Sequence, residues 1–476
     1  MTEKFKLLLL NPPFSKYGGM RDFGGTMMPL NLCLLAAYVR QQNKDVEIRI
    51  LDSENMGLNQ ADTVKEIRHF YPDLIGITAN TCVFDSVKIL TALIKNILPT
   101  VPIILGSSHV SALPEQSLRE SKADFVVVGE GEIALSEVIA KMQNGENSWD
   151  EINGLAYLAN GKPRINPPVK LIQDLDVLPF PARDLIDNRR YSAAPTKRVS
   201  LGPITLISTS RGCPYDCGFC AQQAIWGRRT RLRSPESVVV EIEECVNKYN
   251  IRTFNFTDEL FTSNLERVMS ISHLICEKKL NIKWVCSARA EKFDFKVLKT
   301  MHTAGCREIS FGVESGNQKI LERISKGTNL QEIHRVINLA KKAGITTHAS
   351  YILGYIGESE STIKDTIRFA KQLNTHVAAF FIASPLPGSR LYRESLENGY
   401  LDPKASWVNY SPFSNQQNIL NLPTISSKTI RMWHRRAIRE YYFRIGYILP
   451  RLLSIRHFYE IVNLFIGMKL LFGIKK

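Results

Sequence analysis

Three cysteines lie close together near the middle of this 476-residue chain. Cys213, Cys217 and Cys220 follow a C-x3-C-x2-C spacing within one short segment. Thiolates at this spacing can bind three irons of a [4Fe–4S] cluster, which leaves the fourth iron without a protein ligand. A structural zinc site normally has four ligands, often in two short pairs, and no second C-x2-C pair occurs in the chain. The spacing therefore predicts an iron–sulfur cluster with one open iron rather than a closed zinc site.

The composition is that of a globular protein with two or three domains, because 476 residues exceed what one hydrophobic core usually serves. The nine cysteines show no disulfide-like framework, which indicates a reducing cytoplasm. An apolar run at residues 7–10 stops at Asn11-Pro12-Pro13. It is too short for a signal sequence and predicts a buried strand. We expect no secretion.

The N-terminal third alternates short apolar runs with helical patterns, which predicts an α/β domain with a doubly wound, flavodoxin-like parallel sheet. Strands are predicted at residues 6–10, 46–51, 74–78, 103–105 and 125–128, and helices at 30–42, 61–70, 85–97 and 133–142. Ligands bind such sheets outside the carboxyl ends of the strands, where glycine allows close backbone approach. The candidate binding residues that follow these strands are Asn11, Pro12, Thr78, Thr81, Gly106, Ser108, His109, Gly129, Glu130 and Gly131.

From residue 204 the alternation resumes with longer helices. Six strands at residues 204–208, 253–257, 283–287, 308–313, 346–353 and 378–383 predict a partial TIM-type barrel with its site at the strand carboxyl ends. The three cysteines follow the first strand. Acidic groups there can accept bonds from an ammonium or hydroxyl group, and arginine can bind a carboxylate through two bonds. The candidates after the other strands are Asp258, Glu259, Arg289, Glu314, Ser315, Gly354 and Pro385. For Asp258 and Arg289, an ion pair on the barrel rim is the structural alternative.

Residues 211–220, with the aromatic Phe219 just before the last cysteine, resemble the cluster loop of the radical SAM superfamily. The resemblance implies that the open iron binds the amino and carboxylate groups of S-adenosylmethionine (SAM). Electron transfer, from a flavodoxin- or ferredoxin-type donor, would then cleave SAM to a 5′-deoxyadenosyl radical. It also implies that Asp258 and Glu259 contact the SAM amino group and that Glu314 and Ser315 lie near SAM.

The loops of the N-terminal third resemble those of the cobalamin-binding domain that is fused to many radical SAM enzymes. The matching motifs are Asn-Pro-Pro after the first strand, Gly-x-x-His-x-Ser after the fourth and Gly-Glu-Gly-Glu after the fifth. The chain departs from the Asp-x-His-x-x-Gly signature that supplies histidine as lower cobalt ligand, since Asn11-Pro12-Pro13 stands there. We therefore expect no protein histidine on cobalt and no ligand role for His109. The alternative is a domain that keeps the fold as a scaffold without binding cobalamin.

Four regions are expected. They are a cobalamin-binding domain (1–145), a connector (146–199) with a hairpin at residues 160–163, a radical SAM barrel (200–400) and a helical C-terminal region (401–476). Residues 428–476 contain eleven Lys or Arg against Glu440 and Glu460, a net charge of +9 out of the chain's +15. Basic and large apolar residues alternate there, which predicts either an amphipathic helix at the inner membrane face or a helical cap on the barrel. Nucleic acid is the rival partner for positive charge, and we expect none to bind.

The layout as a whole resembles cobalamin-dependent radical SAM enzymes, most of all the branch with the anaerobic magnesium-protoporphyrin monomethyl ester cyclase and hopanoid-modifying enzymes. This implies hydrogen abstraction from an unactivated carbon, then methyl transfer or oxidative cyclisation or rearrangement of a lipid, a tetrapyrrole or another small molecule. One alternative is a tRNA-modifying methylthiotransferase-like enzyme, but a second cysteine triad and a terminal β-domain are missing. The other is a non-catalytic cobalamin- or SAM-binding protein, against which the intact cysteine triad argues.

Overall fold

The computed structural model describes residues 4–14, 25–194, 199–402, 405–411 and 419–453, with residues 455, 458 and 460–462. The apolar residues after 462, which belong to the predicted tail, lie outside the described residues. In the described part, two large β-sheets and the helices that connect their strands form the molecule. The α/β prediction is therefore confirmed.

The first sheet carries the N-terminal third of the chain. Its strands run in the order β2-β1-β3-β4-β5-β6-β7, and β1 to β5 are parallel. This order places the topological switch point between β1 and β3, as in flavodoxin-like folds. The strands are β1 (Phe5–Asn11), β2 (Val46–Asp52), β3 (Leu74–Thr78), β4 (Ile103–Gly106), β5 (Phe125–Val127), β6 (Leu155–Ala159) and β7 (Lys162–Ile165). The helices are α1 (Leu30–Gln42), α2 (Ser53–Met56), α3 (Gln60–Phe70), α4 (Phe84–Ile97), α5 (Ser108–Ala112), α6 (Pro114–Glu120) and α7 (Glu132–Gln143).

The hairpin predicted around residues 160–163 is present and joins the first sheet. Strand β6 pairs antiparallel with both β5 and β7. Asn160 and Gly161 have φ angles of 51° and 76°, and this pair of left-handed residues suits a tight hairpin turn. The sheet therefore does not end at residue 145, where the sequence prediction placed the domain limit, because the connector supplies its last two strands.

The second sheet contains six parallel strands in the order β15-β14-β13-β12-β11-β8. Its edge strands do not pair with each other in the described residues, so the sheet is a partial barrel of the predicted kind. A short antiparallel pair, β9 with β10, flanks the cluster loop. The strands are β8 (Ile204–Ile207), β9 (Ser210–Arg211), β10 (Arg231–Leu232), β11 (Thr253–Phe256), β12 (Lys283–Ala288), β13 (Cys306–Glu314), β14 (Thr346–Leu353) and β15 (Val377–Ile382). The helices are α8 (Gln223–Trp226), α9 (Pro235–Tyr249), α10 (Leu265–Glu277), α11 (Phe295–Thr303), α12 (Gln318–Ile324), α13 (Leu330–Lys342), α14 (Glu360–Leu373) and α15 (Arg390–Glu397).

Helix α16 (Ser427–Tyr442) closes the outer side of the barrel against β15 and α14. Its residues Ile430, Trp433, Ala437 and Tyr441 are buried in the barrel core, and their spacing puts them on one helical face. The indole of Trp433 donates a hydrogen bond to Glu360 at 3.1 Å. This part of the C-terminal region is thus a cap on the barrel. A second helix, α17 (Ile445–Leu453), follows it. Among the described residues, no helix is long and apolar enough to cross a membrane.

Candidate active site between the two sheets

The cluster loop leaves β8, the first strand of the barrel, and its backbone is fixed by two glycines. Gly212 has a φ of 87°, and a Cβ there would overlap the carbonyl oxygen of Arg229. Gly218 donates its N–H to the Ile324 carbonyl at 2.7 Å and accepts a bond from Leu391 N at 2.7 Å. A side chain at Gly218 would collide with Tyr355 Oη. At Gly212 both the positive φ and the nearby backbone require glycine, so this position fixes the start of the loop.

The three cysteines of this loop are free thiols and partly exposed. Burial raises the pKa of Cys213, and it raises the pKa of Cys220 to about 11, with the neighbouring thiols adding to the effect. In the described part of the chain, no three His, Cys, Asp or Glu side chains are placed to share a single metal ion. A cluster differs from a single ion because each thiolate binds a separate iron, which the spread of three cysteines along this loop allows.

Arg289 lies against the cluster loop rather than in open space. Its guanidinium is 3.6 Å from the centre of the Tyr215 ring, and Nη1 is 3.6 Å from Cys217 Sγ. It also bonds Glu291 at 2.9 Å and the carbonyl of Lys326. These contacts use most of its donors and fix the middle of the loop. The structure therefore places Arg289 as a support of Cys217, and little of it is left to bind a carboxylate.

The two acids after β11 point in different directions. Asp258 is 5% exposed and accepts bonds from Thr209 N at 2.8 Å and Ser210 Oγ at 2.7 Å, so it ties the end of β8 to β11. Glu259 instead lines a cavity beside the cysteine loop. Burial raises the pKa of Glu259 to about 7, and the neighbouring Asp258 adds to the shift. Of this pair, only Glu259 is free to meet a ligand ammonium group.

The residues after β13 and β14 are held by internal bonds. Glu314 has a φ of 66° and pairs with Lys326 at 2.7 Å, and Ser315 lies 3.1 Å from Thr366 Oγ1. Gly354 has a φ of 83°, and a Cβ there would lie 2.8 Å from Ile430 of α16. Glu358 accepts bonds from Gly354 N and Tyr355 N. Pro385 is buried after β15. The cap helix therefore braces the β14 end of the predicted SAM site.

A cavity of about 490 Å³ lies between the carboxyl edge of the first sheet and the barrel mouth. Six of the predicted cobalamin contacts line it: Asn11, Thr78, Gly106, Gly129, Glu130 and Gly131. From the barrel side, it is lined by Ser208, Ser210, Arg211, Trp226, Thr257 and Glu259. Gly106 has open space where a Cβ would stand, and Gly129 has a φ of 90°. The edge thus offers small residues and backbone to a large flat ligand, which fits cobalamin, and the opposite wall reaches the cluster loop.

The other four predicted cobalamin contacts are not part of the cavity lining. Pro12 and Thr81 are buried behind the sheet edge, and Ser108 begins α5. His109 is fully buried, with its ring 4.1 Å from Phe84 and 4.6 Å from Trp407. Burial lowers its pKa to about 4. The structure therefore places His109 in an aromatic cluster away from the cavity.

Sequence reasoning did not find the ion pairs that join the first sheet to the cluster loop. Arg211 pairs with Glu132 and lies 3.4 Å from Glu130, and Arg231 pairs with Glu130 at 2.5 Å. The Trp226 ring lies 4.9 Å from the Arg211 guanidinium. The position of Arg211 directly before Gly212-Cys213 was a sequence feature from which a role beside the cluster loop could have been predicted. Its partner Glu132 could not be predicted in this way, because Glu132 is 79 positions upstream.

Comparison with known proteins supports both halves of this arrangement. A family model described as the Radical SAM superfamily matches residues 207–370, and one described as the B12 binding domain matches residues 18–139. These ranges contain the cluster loop and most of the cavity edge. The cofactors of the chain are therefore a [4Fe–4S] cluster, SAM and cobalamin, as the sequence predicted.

Several curated relatives match most of the chain. An uncharacterized methyltransferase of Pyrococcus horikoshii is 35% identical over 92% of this chain and 93% of its own length. The cytidylyl-2-hydroxyethylphosphonate methyltransferase of Streptomyces wedmorensis is 28% identical, with 88% and 86% covered. The anaerobic magnesium-protoporphyrin IX monomethyl ester cyclase of Rubrivivax gelatinosus is also 28% identical, with 82% and 70% covered. The predicted branch is thereby confirmed, and a hopanoid C-3 methylase is also among the relatives.

The fold agrees with a solved structure of the same architecture. The cobalamin-dependent SAM radical enzyme OxsB, with aqua-cobalamin and SAM bound, superposes with a TM-score of 0.76 over 98% of this chain and 71% of that chain, at 18% identity. At this identity the likeness shows the fold alone. Taken with the family models and the 35% identical relative, it leads to one assignment. The chain belongs to the radical SAM enzymes that carry a B12 binding domain.

Proposed function

We propose that this enzyme transfers a methyl group to an unactivated carbon of a small molecule. The observation that carries the proposal is the single cavity that joins the cobalamin edge to the cluster side of the barrel. Methyl transfer to a substrate radical requires the two cofactors to face one substrate, and a shared cavity meets this requirement. Two relatives that cover most of the chain are named methyltransferases, which favours methyl transfer over cyclisation.

The residues of the chain position the reactants. When bound, the cluster supplies the electron that cleaves SAM, and cobalamin supplies the methyl group. Cys213, Cys217 and Cys220 would hold the cluster, and Glu259 would accept hydrogen bonds from the SAM ammonium group. Gly106 and Gly129 would let the sheet edge approach the macrocycle closely.

The inner face of the barrel carries polar side chains. Alternate strand residues point to opposite faces, so Phe254 and Trp284 pack against the helices while Ser310 and His348 face the lumen. Glu308 lies 3.9 Å from His348, and both are less than one-tenth exposed. Neither ring nitrogen of His348 has a hydrogen-bond partner among the described residues.

Oxidative cyclisation is the second candidate, because a magnesium-protoporphyrin cyclase is among the relatives. The two reactions leave different products. Methyl transfer converts one SAM to S-adenosylhomocysteine for every methyl group delivered, in addition to the SAM cleaved to 5′-deoxyadenosine. Cyclisation forms 5′-deoxyadenosine without S-adenosylhomocysteine.

The test uses the reconstituted, cobalamin-loaded enzyme under anaerobic reduction with SAM that carries a deuterated methyl group. Candidate substrates are offered as a metabolite extract of the source cells. We expect S-adenosylhomocysteine and 5′-deoxyadenosine in similar amounts. One compound of the extract should gain a CD3 group, so that its product is heavier by three deuterium substitutions than the product formed with unlabelled SAM. Formation of 5′-deoxyadenosine and a modified compound without deuterium would contradict methyl transfer and favour the cyclase. The Cys217→Ala protein is the control for background chemistry.

We also propose that the C-terminal helix contacts an anionic membrane surface. Helix α17 exposes Ile445, Ile448, Leu449, Leu452 and Leu453, from 42% to 82%, at spacings that form one face. Its opposite side faces the protein, where Tyr447 Oη bonds the His376 carbonyl at 2.8 Å. The apolar face therefore points outward, the reverse of a surface helix that covers a core.

The preceding helix, α16, carries exposed basic side chains at Arg435, Arg436 and Arg439. An exposed apolar face together with arginines suits an interface with anionic lipid.

The electron donor is a separate partner. The exposed side chains of Arg228 and Arg229, which follow the cluster loop, suit an acidic electron donor of the flavodoxin or ferredoxin type.

Liposome co-sedimentation tests the membrane contact. Replacing Leu449, Leu452 and Leu453 together by serine should reduce binding to vesicles with phosphatidylserine at least tenfold, and high salt should weaken the wild type. Leu396→Ser is the matched control, since Leu396 is 60% exposed on α15. Equal sedimentation of the triple variant and the wild type would contradict the proposal. Point substitutions are preferred to truncation, because α16 belongs to the barrel core.

A further inference from the structure

Four buried charged side chains connect the first sheet to the strands that flank the cluster loop. We call Glu130, Glu132, Arg211 and Arg231 the interdomain quartet. Each is 2% to 5% exposed. Arg211 pairs with Glu132, Arg231 pairs with Glu130 at 2.5 Å, and Arg211 Nη1 lies 3.4 Å from Glu130. The quartet holds two positive and two negative groups, so the buried charge is balanced.

A third segment of the chain meets the same quartet. The Ile172 N–H donates to Glu130 at 3.1 Å, and Arg231 donates to the Ile172 carbonyl at 2.6 Å. The backbone of the connector is thereby fixed between the sheet and the barrel. Buried charges are paired and hydrogen-bonded because an unpaired charge in a protein interior is strongly unfavourable. A change in the relative position of the sheet and the barrel would break these pairs, so the quartet favours one arrangement.

The place of the quartet along the chain relates it to both cofactor sites. Glu130 and Glu132 alternate with Gly129 and Gly131, which line the cavity edge. Arg211 pairs through β9 with Arg231 on β10 and is followed at once by Gly212 and Cys213. The ion pair between Glu132 and Arg211 therefore connects the cavity edge to a residue two positions before Cys213, the first cluster ligand.

We propose that the interdomain quartet sets the distance and orientation between the cobalamin edge and the iron–sulfur cluster. Its members are positioning residues, because they act through the glycine backbone on one side and the cysteine loop on the other. Glu130 is thereby assigned to an ion pair rather than to a cobalamin contact. The inference rests on the cofactors of the family and not on the choice between methyl transfer and cyclisation, since its test uses no substrate.

The test measures the spacing directly in the full-length protein loaded with cluster and cobalamin. Titration with a low-potential reductant to the range where cob(II)alamin and the one-electron-reduced cluster coexist gives two centres with one unpaired electron each, and pulsed EPR reports their dipolar coupling. We expect one narrow distance distribution for the wild type. Glu132→Gln removes one charge without changing size, and Arg211→Lys keeps the charge but loses the paired donors. Both variants should bind hydroxocobalamin within threefold of the wild-type affinity and give a broader or shifted distribution.

Glu241→Gln is the matched control. Glu241 is 1% exposed and pairs with Arg183 and Arg233, and it lines no part of the cavity. It should leave the distance distribution unchanged. A wild-type distribution in either quartet variant loaded with both cofactors would overturn the inference. Failure of both quartet variants to take up the two cofactors, when Glu241→Gln takes up both, would overturn it as well. The quartet would then be needed for folding rather than for spacing.

Discussion

A single methyl group at Gly212 should strongly impair assembly of the iron–sulfur cluster. Gly212 has a φ of 87°, which costs an L-residue about 1–2 kcal/mol. An added Cβ would also overlap the Arg229 carbonyl oxygen and lie 3.1 Å from its carbonyl carbon. The neighbour is backbone and cannot rotate away, so the loop must shift at an additional cost of about 1–3 kcal/mol. Because Cys213 is the next residue, this shift moves the first cluster ligand.

The matched control is Gly161→Ala in the β6–β7 hairpin. Gly161 also has a positive φ, of 76°, but no atom lies within 4 Å of the position that a Cβ would take there. An alanine there should therefore cost only the free energy of placing an L-residue at positive φ, about 1–2 kcal/mol. Iron and sulfide content after anaerobic reconstitution is the assay, together with thermal unfolding. We expect near-normal iron in Gly161→Ala and less than half of it in Gly212→Ala. Equal iron content in the two variants would refute the steric reasoning.

Three further predictions follow from the site. Cys217→Ala should lose the whole cluster, since the three thiolates share it, and should form no 5′-deoxyadenosine under dithionite. His109→Ala should keep cobalamin affinity and the cobalt EPR spectrum, because its ring lies away from the cavity; loss of a cobalt–nitrogen signal would contradict this. Burial raises the pKa of Glu358 to about 8, so the folded state keeps a proton that the unfolded state loses near pH 4.5. Stability should fall as pH rises from about 4.5 to 8, and the unfolding midpoints of Glu358→Gln should fall less steeply, with Glu259, whose pKa is also raised, still contributing.

Hydrophobic periodicity predicted most of the fold. Every predicted strand of the two parallel sheets is present, and helix α1 has the predicted bounds. The reason is that strands buried on both faces, such as β1, read as continuous apolar runs between polar loops. The ends of the domains were harder to predict, because β6 and β7 extend the first sheet beyond its last parallel strand, β5. Strand pairing across an edge leaves little trace in the local sequence.

The residues of the site also fall into those that local sequence predicts and those that it does not. A motif that works through local spacing, such as the cysteine triad, can be found from the sequence. Asp258 and Glu259 are neighbours of the same charge, yet one ties two strands together and the other faces the cavity. Their roles depend on which atoms lie opposite, and those atoms come from distant parts of the chain.

The C-terminal region shows why charge counts cannot distinguish a cap from a membrane surface. Helices α16 and α17 are both basic and apolar, so their sequences allow both interpretations. In α16 the apolar face carries Trp433 and Ile430 into the barrel core, while in α17 the corresponding stripe, with Leu449 and Leu452, remains exposed. The cap interpretation therefore applies to α16, and the membrane interpretation is the one we propose for α17. Because Ile430 packs on Gly354 at the end of β14, the cap also stabilises the predicted SAM site. The proposed membrane contact through α17 would then act on a helix that is covalently continuous with this support, so binding at the surface would be physically linked to order at the site.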